Sequence, residues 1–189
     1  MQMTPSQTVG PFFSFGLTTE KCCVRNIVSS QAKGERVILT CRVLDGDGVG
    51  LPDAMVEIWQ ADAEGIYKHP DDPRQSNSDP ACTGFGRMGT DESGICEFET
   101  IKPGRVAGSN GQEQAPHLNV AIFARGMLKQ LYTRIYFADD PANQNDPALA
   151  LVPLERRDTL MAKRDSARSE RWSFDLRLQG ERETVFFDL

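Results

Sequence analysis

Histidine and cysteine, the side chains that most often bind transition metals, are few and widely spaced in this sequence. The two histidines are His69 and His117, and no two cysteines have C-x-x-C spacing. A zinc site built on three histidines of this chain is therefore excluded, and the spacing offers no four-cysteine site. The five cysteines are Cys22, Cys23, Cys41, Cys82 and Cys96. Reduced thiols explain this odd number better than a disulfide framework, so we expect a cytoplasmic protein.

Short motifs for nucleophilic catalysis and for phosphate binding are also missing. The sequence contains no G-x-S-x-G nucleophile turn and no Walker loop. The segment Gly84-Phe85-Gly86 begins like a dinucleotide-binding loop, but it lacks a preceding strand and the third glycine. The residue types alone therefore favour neither a serine hydrolase nor a nucleotide-binding enzyme.

Length and charge exclude several further classes of protein. The chain has 189 residues and a formal net charge of −6, so it lacks the basic face that duplex nucleic acid or an anionic membrane surface requires. Its longest nearly apolar stretch, Ala148 to Leu154, is far too short to span a membrane. No signal peptide is visible in the first twenty residues. We expect a single domain over residues 1–189 that binds neither nucleic acid nor membrane.

The elements that must position any site are mainly β-strands. Seven short apolar-rich segments, several of which alternate apolar and polar residues, are separated by turn residues, which favours strands. The predicted strands span residues 37–44, 54–60, 95–101, 118–124, 130–137, 172–178 and 184–189. They predict an all-β fold, a mixed-topology β-sandwich with a short helix and long loops. Trp59 and Trp172 are expected to lie in its core.

Three segments interrupt the strand pattern. Asp146 and Pro147 give the N-cap and first-turn signal of a short helix, and further helical turns are predicted from Leu154 through Lys163. Residues 61–89 are rich in Asp, Pro, Ser and Gly, and loops of this length are usually functional. Residues 1–17, rich in Phe, Pro and Gly, are predicted to form an extended N-terminal arm.

Five short motifs occur in a fixed order along nearly the whole chain. They are the segments Thr4–Phe12, Asp53–Tyr67, Gly84–Arg87, Asp91–Gly94 and Thr100–Gly104. In sequence and in order they resemble the motifs of the intradiol ring-cleavage dioxygenases. The resemblance implies a β-sandwich and an activity that uses O₂ to cleave an aromatic ring between its two hydroxyl-bearing carbons.

The catalytic chains of that family bind a non-haem Fe(III) ion through two tyrosines and two histidines, ligands that suit a hard cation. Carried over position by position, the tyrosines fall on Tyr67 and Val106, and the histidines fall on His117 and Asn119. The isopropyl group of Val106 cannot bind a metal, and the amide of Asn119 is a poor ligand for ferric ion. An arginine of the catalytic chains is replaced by Gln114. We therefore expect no metal site in this chain.

Within the family, this pattern resembles the iron-free subunit of heteromeric enzymes that cleave protocatechuate. The resemblance implies a homologous β subunit that carries the Fe(III), protocatechuate and O₂ as substrates, and a higher-order oligomer of both subunits. It also implies that this chain lines the substrate pocket of its partner with Thr8, Gly10, Pro11 and Arg134, and that no residue of this chain alone is catalytic.

Arg134 has two interpretations. It lies with Tyr132 and Tyr136 on one face of a predicted strand, and a guanidinium group can bind a substrate carboxylate through two parallel hydrogen bonds. It could instead pair with an acidic residue of its own chain or of the partner. The N-terminal arm could likewise pack on its own sandwich as well as line a pocket.

Two further hypotheses stay open on the sequence alone. The chain could be a stand-alone iron dioxygenase whose ligands are Tyr67, His117 and Tyr132 or Tyr136. It could also be a non-enzymatic sandwich used for binding, because one fold hosts many functions. Colour tests the first alternative, since tyrosinate bound to Fe(III) absorbs visible light.

Overall fold

A computed structural model describes residues 8, 10, 12–108 and 111–188. Within these residues the strands are β1 Arg36–Leu44, β2 Met55–Trp59, β3 Phe85–Gly89, β4 Ile95–Ile101, β5 Val106–Ala107, β6 Glu113–Gln114, β7 His117–Phe123, β8 Leu131–Phe137, β9 Met161–Arg164 and β10 Arg171–Arg177. The helices are α1 Phe12–Leu17, α2 Pro147–Ala150 and the 3₁₀ helices Gln75–Asn77, Pro141–Asn145 and Leu154–Leu160. None of the helices in these ranges is long and apolar enough to cross a membrane.

Most of the strands form two four-stranded layers that are joined along one edge. The first layer has the order β3-β2-β7-β8, and the second has the order β9-β10-β1-β4. Strand β9 joins them, because it pairs parallel to β8 and antiparallel to β10. Strands β1 and β10 also run parallel, whereas the remaining pairs are antiparallel. The predicted mixed-topology β-sandwich is confirmed.

The core lies between the two layers and is built from alternate residues of each strand. In β1 the four buried alternate positions are Val37, Leu39, Cys41 and Val43, as the apolar periodicity predicts. Trp172 of β10 lies edge-on to Phe137 of β8 with ring centroids 4.9 Å apart, an arrangement that aromatic pairs prefer. The opposite residues of the first layer point outward and are free to form a site.

Strands β3 and β9 are missing from the predicted set, as are the two-residue strands β5 and β6. β3 has the sequence FGRMG, and its two glycines weaken the local strand signal. Tertiary pairing overrides that signal, because β3 pairs with β2 along its whole length. β9 falls inside the segment predicted as helical turns. The chain is helical only as far as Leu160 and becomes extended at Met161.

The predicted strand over residues 184–189 is wrong for the residues that the structure describes there. A single β-bridge joins Phe187 to Tyr132. The backbone of Val185 bonds to side chains instead, because its N–H donates to the hydroxyl of Thr159 and its carbonyl accepts from the hydroxyl of Thr133. The apolar residues here reflect a tail packed on the sheet rather than a ladder.

The helix predictions have mixed outcomes. The start of α2 is confirmed, since the carboxylate of Asp146 accepts hydrogen bonds from the N–H groups of Ala148 and Leu149. The arm is not extended throughout, because α1 covers Phe12–Leu17. The predicted pocket residue Pro11 and most of the arm before Phe12 lie outside the described residues.

Candidate functional site

One cavity of about 470 Å³ brings together the positions that the family resemblance singles out. It lies on the outer face of the first layer, at the end of β7 and β8 where His117 pairs with Tyr136. Its lining includes Tyr67, Val106, Gln114, His117 and Arg134. Asn119 reaches it through a hydrogen bond to Tyr67. We call it the Tyr67 cavity.

Strand register sets three of the side chains around this cavity in a row. Asn119 of β7 pairs with Trp59 of β2 on one side and with Arg134 of β8 on the other. Paired residues of neighbouring strands point to the same face, so all three point outward. Trp59 is half-buried and lines the cavity, so its expected place in the core is wrong. Trp172 is buried as expected.

The loop after β2 carries Tyr67 and is held by two carboxylates. Asp62 accepts hydrogen bonds from two backbone N–H groups of the loop, and Asp72 accepts one from the N–H of Tyr67 at 3.0 Å. Gly65 has a φ of 72°, and a Cβ atom there would lie 1.8 Å from the carbonyl oxygen of Arg105. Only glycine permits this conformation and this approach.

The phenol of Tyr67 is set up as a neutral hydrogen-bonding group. Its ring lies nearly parallel to the indole of Trp59, with centroids 6.2 Å apart. The side-chain amide of Asn119 donates a hydrogen bond to the phenolic oxygen at 3.0 Å. Burial raises the pKa of Tyr67 above its ordinary value and outweighs the opposing effects of Asn119 and Arg134. The group is therefore protonated at neutral pH.

His117 is buried and neutral. Its Nδ1 lies 2.7 Å from the carbonyl oxygen of Ala115, and a carbonyl only accepts, so Nδ1 carries the hydrogen. Burial first, and the charge of Arg134 second, lower the pKa of His117 from 6.5 to about 4. The unprotonated nitrogen of the ring is consequently Nε2.

Arg134 is held by neutral groups. Its Nη1 donates to the side-chain oxygen of Gln114 at 2.8 Å and to the hydroxyl of Tyr136 at 3.3 Å. That hydroxyl donates in turn to the buried carboxylate of Asp146 at 3.1 Å. Within the described residues no carboxylate lies within 4 Å of the Arg134 guanidinium. The described part of this chain therefore contains no acidic residue paired with Arg134, which was one of the two interpretations of this residue.

Asp146 is the supporting residue that sequence reasoning missed. Its N-cap role was visible in the sequence, but one carboxylate oxygen also accepts from the N–H of Ala115. The same side chain therefore ties α2 to the strands that carry His117 and Arg134. No local pattern shows this connection, because β8 and α2 meet only in the folded chain.

The four positions carried over from the family do not suit a ferric ion. Val106 has no atom that could bind a metal, and the amide nitrogen of Asn119 donates a hydrogen bond to the phenolic oxygen of Tyr67. Arg134, a cation, stands beside the same cavity and would repel a metal ion. Among the residues described, no group of three or more His, Cys, Asp or Glu side chains could hold a metal.

Of the predicted pocket residues of the arm, the structure describes Thr8 and Gly10. The hydroxyl of Thr8 accepts a hydrogen bond from the N–H of Gly126 at 3.1 Å. Gly126 belongs to the turn between β7 and β8, at the opposite end of these strands from His117. Gly10 is exposed. The structure of this chain does not bring Thr8 and Gly10 together with Arg134.

A second groove of about 390 Å³ adjoins the Tyr67 cavity and shares Trp59 and Arg134 with it. Its other lining residues are largely apolar and include Phe85, Ala121, Tyr132, Leu151 and Phe187. Leu151 is 85% exposed. Sequence reasoning missed this groove, because its residues come from segments that are far apart in the chain.

Comparisons with known proteins give consistent results. A family model described as Dioxygenase matches residues 8–180. The chain is 44% identical to the protocatechuate 3,4-dioxygenase alpha chain of Burkholderia cepacia, with all of this chain and 98% of that one covered. It is 33% identical to the beta chain of the same enzyme from the same organism, over 82% of this chain and 68% of that one. It also resembles the solved structure of catechol 1,2-dioxygenase from Acinetobacter sp. ADP1, with a TM-score of 0.62 and 26% identity over 80% of this chain and 55% of that one.

Proposed function

The chain belongs to the dioxygenase family whose model matches residues 8–180, and on that premise we propose that it is the alpha chain of a heteromeric protocatechuate 3,4-dioxygenase. The similarity to an alpha chain extends over the whole length of both proteins. The enzyme would use O₂ to cleave protocatechuate between its two hydroxyl-bearing carbons and give 3-carboxy-cis,cis-muconate.

The observation that carries this proposal is that the Tyr67 cavity is present but lacks a suitable set of ligands for Fe(III). Tyr67 and His117 stand where the resemblance places two iron ligands, but Val106 and Asn119 cannot complete the set. The proposed source of Fe(III) is therefore a homologous beta subunit, and a beta chain is among the relatives of this chain. The homology of the two subunits also supports a pseudo-symmetric pair, which can build higher oligomers.

The proposed work of this chain is to shape the substrate pocket of its partner. Thr8, Gly10 and Pro11 would enter that pocket from the arm, and Arg134 would attract the carboxylate of protocatechuate. The hydroxyl of Thr8 bonds to the turn between β7 and β8 and does not line the Tyr67 cavity, which supports an arm that serves another subunit. The five free cysteines support a reducing, cytoplasmic setting.

A stand-alone iron enzyme is less well supported. The hydroxyl of Tyr136 is engaged with Arg134 and Asp146, and burial raises its pKa far above the ordinary value. Tyr132 lines the second groove rather than the Tyr67 cavity, and its hydroxyl accepts from the side chain of Gln130. Neither tyrosine is placed to replace the missing donors.

The proposal is tested by producing the chain alone, its beta partner alone, and both together. We expect iron and ring cleavage of protocatechuate at full rate only in the combined preparation, with the two chains co-purifying. Ring cleavage by this chain alone, or full activity of the partner without it, would contradict the proposal. Arg134→Gln in the combined enzyme is expected to raise KM for protocatechuate more than for catechol, which lacks the carboxylate.

A further inference from the structure

A groove of about 540 Å³ lies on the outer face of the second layer. Strand register places Thr40 of β1, Ser173 of β10 and Lys163 of β9 side by side on this face. The 3₁₀ helix Leu154–Leu160 contributes Thr159 to the lining. None of the described residues that line this groove also lines the Tyr67 cavity, and its volume lies in the usual range of small-molecule sites. We call it the Thr40 groove.

The Thr40 groove concentrates positive charge on a chain whose formal net charge is −6. Four cationic and two acidic side chains line it. Arg42 neutralises Asp175, because its Nε and Nη2 donate to the two carboxylate oxygens at 3.1 and 2.9 Å. The groove therefore keeps an excess of cations. Its other charged lining residues are Lys163, Arg177, Arg182 and Asp158.

Three of these cations have no acidic partner in the part of the chain that the structure describes. There, no carboxylate oxygen lies within 4 Å of the side-chain nitrogens of Lys163, Arg177 or Arg182. Asp158 is the remaining acid of the lining and is exposed, so the unpaired cations outnumber it. Lys and Arg side chains only donate hydrogen bonds, and their bonds to carboxylate or phosphate oxygens are strong because both groups are charged. The groove therefore favours an anion with more than one charged group.

Two hydroxyl groups lie between these charges. Thr40 and Ser173 are paired on neighbouring strands, so their side chains point to the same face. The hydroxyl of Thr40 lies 3.5 Å from the carboxylate of Glu97, and that of Ser173 lies 3.5 Å from the carbonyl oxygen of Lys163. Bonds of this length are weak, so both hydroxyls remain able to donate to a bound anion. Their small side chains also leave space at the centre of the sheet face.

We propose that the Thr40 groove binds a small organic anion with two or more negative charges. Its charged groups would lie on Lys163, Arg177 and Arg182, with the hydroxyls of Thr40 and Ser173 beneath it. Polycarboxylates and phosphate esters share this chemistry. The groove lies on the other layer from the Tyr67 cavity, so the site requires neither the iron nor the substrate of the proposed function and stands whether or not that function is right.

Titration calorimetry of the full chain, alone and combined with its partner, tests the site at constant ionic strength, since salt screens exposed charges. The probes are tricarballylate, a tricarboxylate, and fructose 1,6-bisphosphate. We expect saturable binding of one molecule per chain for at least one probe, and the probe that binds identifies the charged group. Acetate, with a single charge, should bind at least about tenfold more weakly. The proposal is overturned by equal binding of acetate or by no saturable binding of either probe. Binding that is lost in the combined preparation would also overturn it, because the face would then be a subunit contact.

Substitutions locate the bound anion. Lys163→Gln combined with Arg182→Gln removes two exposed cations of the groove and should weaken binding at least about tenfold. Lys21→Gln combined with Arg168→Gln removes two exposed cations outside the groove and should leave binding unchanged. Ser173→Trp should fill the groove from an exposed strand position, where an aromatic side chain is tolerated. Equal weakening in the two double variants, or normal binding in Ser173→Trp, would contradict the assignment. Iron content and ring cleavage are scored separately, so failure of the proposed function is recognised independently.

Discussion

The side-chain amide of Asn119 donates a hydrogen bond to the phenolic oxygen of Tyr67 at 3.0 Å. The family resemblance places an iron ligand at each of these two positions. Here the side chain at one position donates a hydrogen bond to the side chain at the other, so the two positions that hold metal ligands in a catalytic chain are bonded to each other instead. A neutral phenol, a neutral imidazole and a nearby arginine complete a site whose chemistry favours anions.

Restoring the two missing donors should restore metal binding. We expect Val106→Tyr combined with Asn119→His to bind Fe(III) and to show the visible absorption of a tyrosinate complex. Because Arg134 repels a cation, adding Arg134→Gln should tighten iron binding at least about tenfold. The matched pair Val106→Phe and Asn119→Gln has similar bulk without metal donors and should bind none. Iron binding by that control, or none by the triple variant, would count against the assignment of the positions.

His117 should make the stability of the fold depend on pH in the acid range. Its pKa is about 4 in the folded chain, against an ordinary value of 6.5 that applies to the unfolded chain. Between these two pH values the unfolded chain therefore binds more protons than the folded chain. The free energy of unfolding should therefore fall as pH drops below about 6.5, by about 3 kcal/mol at pH 4. Urea unfolding of wild type and His117→Gln at several pH values checks this. Parallel pH profiles of the two proteins would show that His117 does not contribute.

Gly65 should be intolerant of substitution because two constraints meet there. Gly126 has a similar φ, 84° against 72°, but no atom lies within 4 Å of a Cβ added to it. Gly126→Ala should therefore cost only the conformational strain, about 1 kcal/mol. Gly65→Ala adds the clash with the carbonyl of Arg105 and should cost about 3 kcal/mol or more. Urea unfolding measures both, and the near-ultraviolet circular dichroism of the Tyr67 loop should change in Gly65→Ala alone. Equal costs would refute this account of the loop.

Much of the fold follows from local patterns. Alternation in β1 and β10 selects the residues that face the core, because one face of each strand is buried. The signal fails where tertiary contacts decide. The two glycines of β3 weaken its own propensity, and only pairing with β2 makes it a strand. The tail around Val185 is rich in apolar residues as a strand would be, yet the backbone of Val185 bonds to hydroxyl groups.

The location of the candidate site was predictable from the sequence, but the hydrogen-bond network that supports it was not. The family resemblance assigned Tyr67, His117 and Asn119 to one site. The three residues lie together in the structure, since Tyr67 and His117 line one cavity and Asn119 is hydrogen-bonded to Tyr67. The exposure of Trp59 depends on which face of β2 meets the core. The link from Arg134 through Tyr136 to Asp146 joins segments whose spacing in the sequence carries no signal.

The iron content of the full chain, separated from its partner and reconstituted with Fe(III), tests the central assignment most directly. The donor set predicts no iron retained above background after desalting and no tyrosinate charge-transfer absorption. A stoichiometric ferric ion whose visible band disappears in Tyr67→Phe would contradict it.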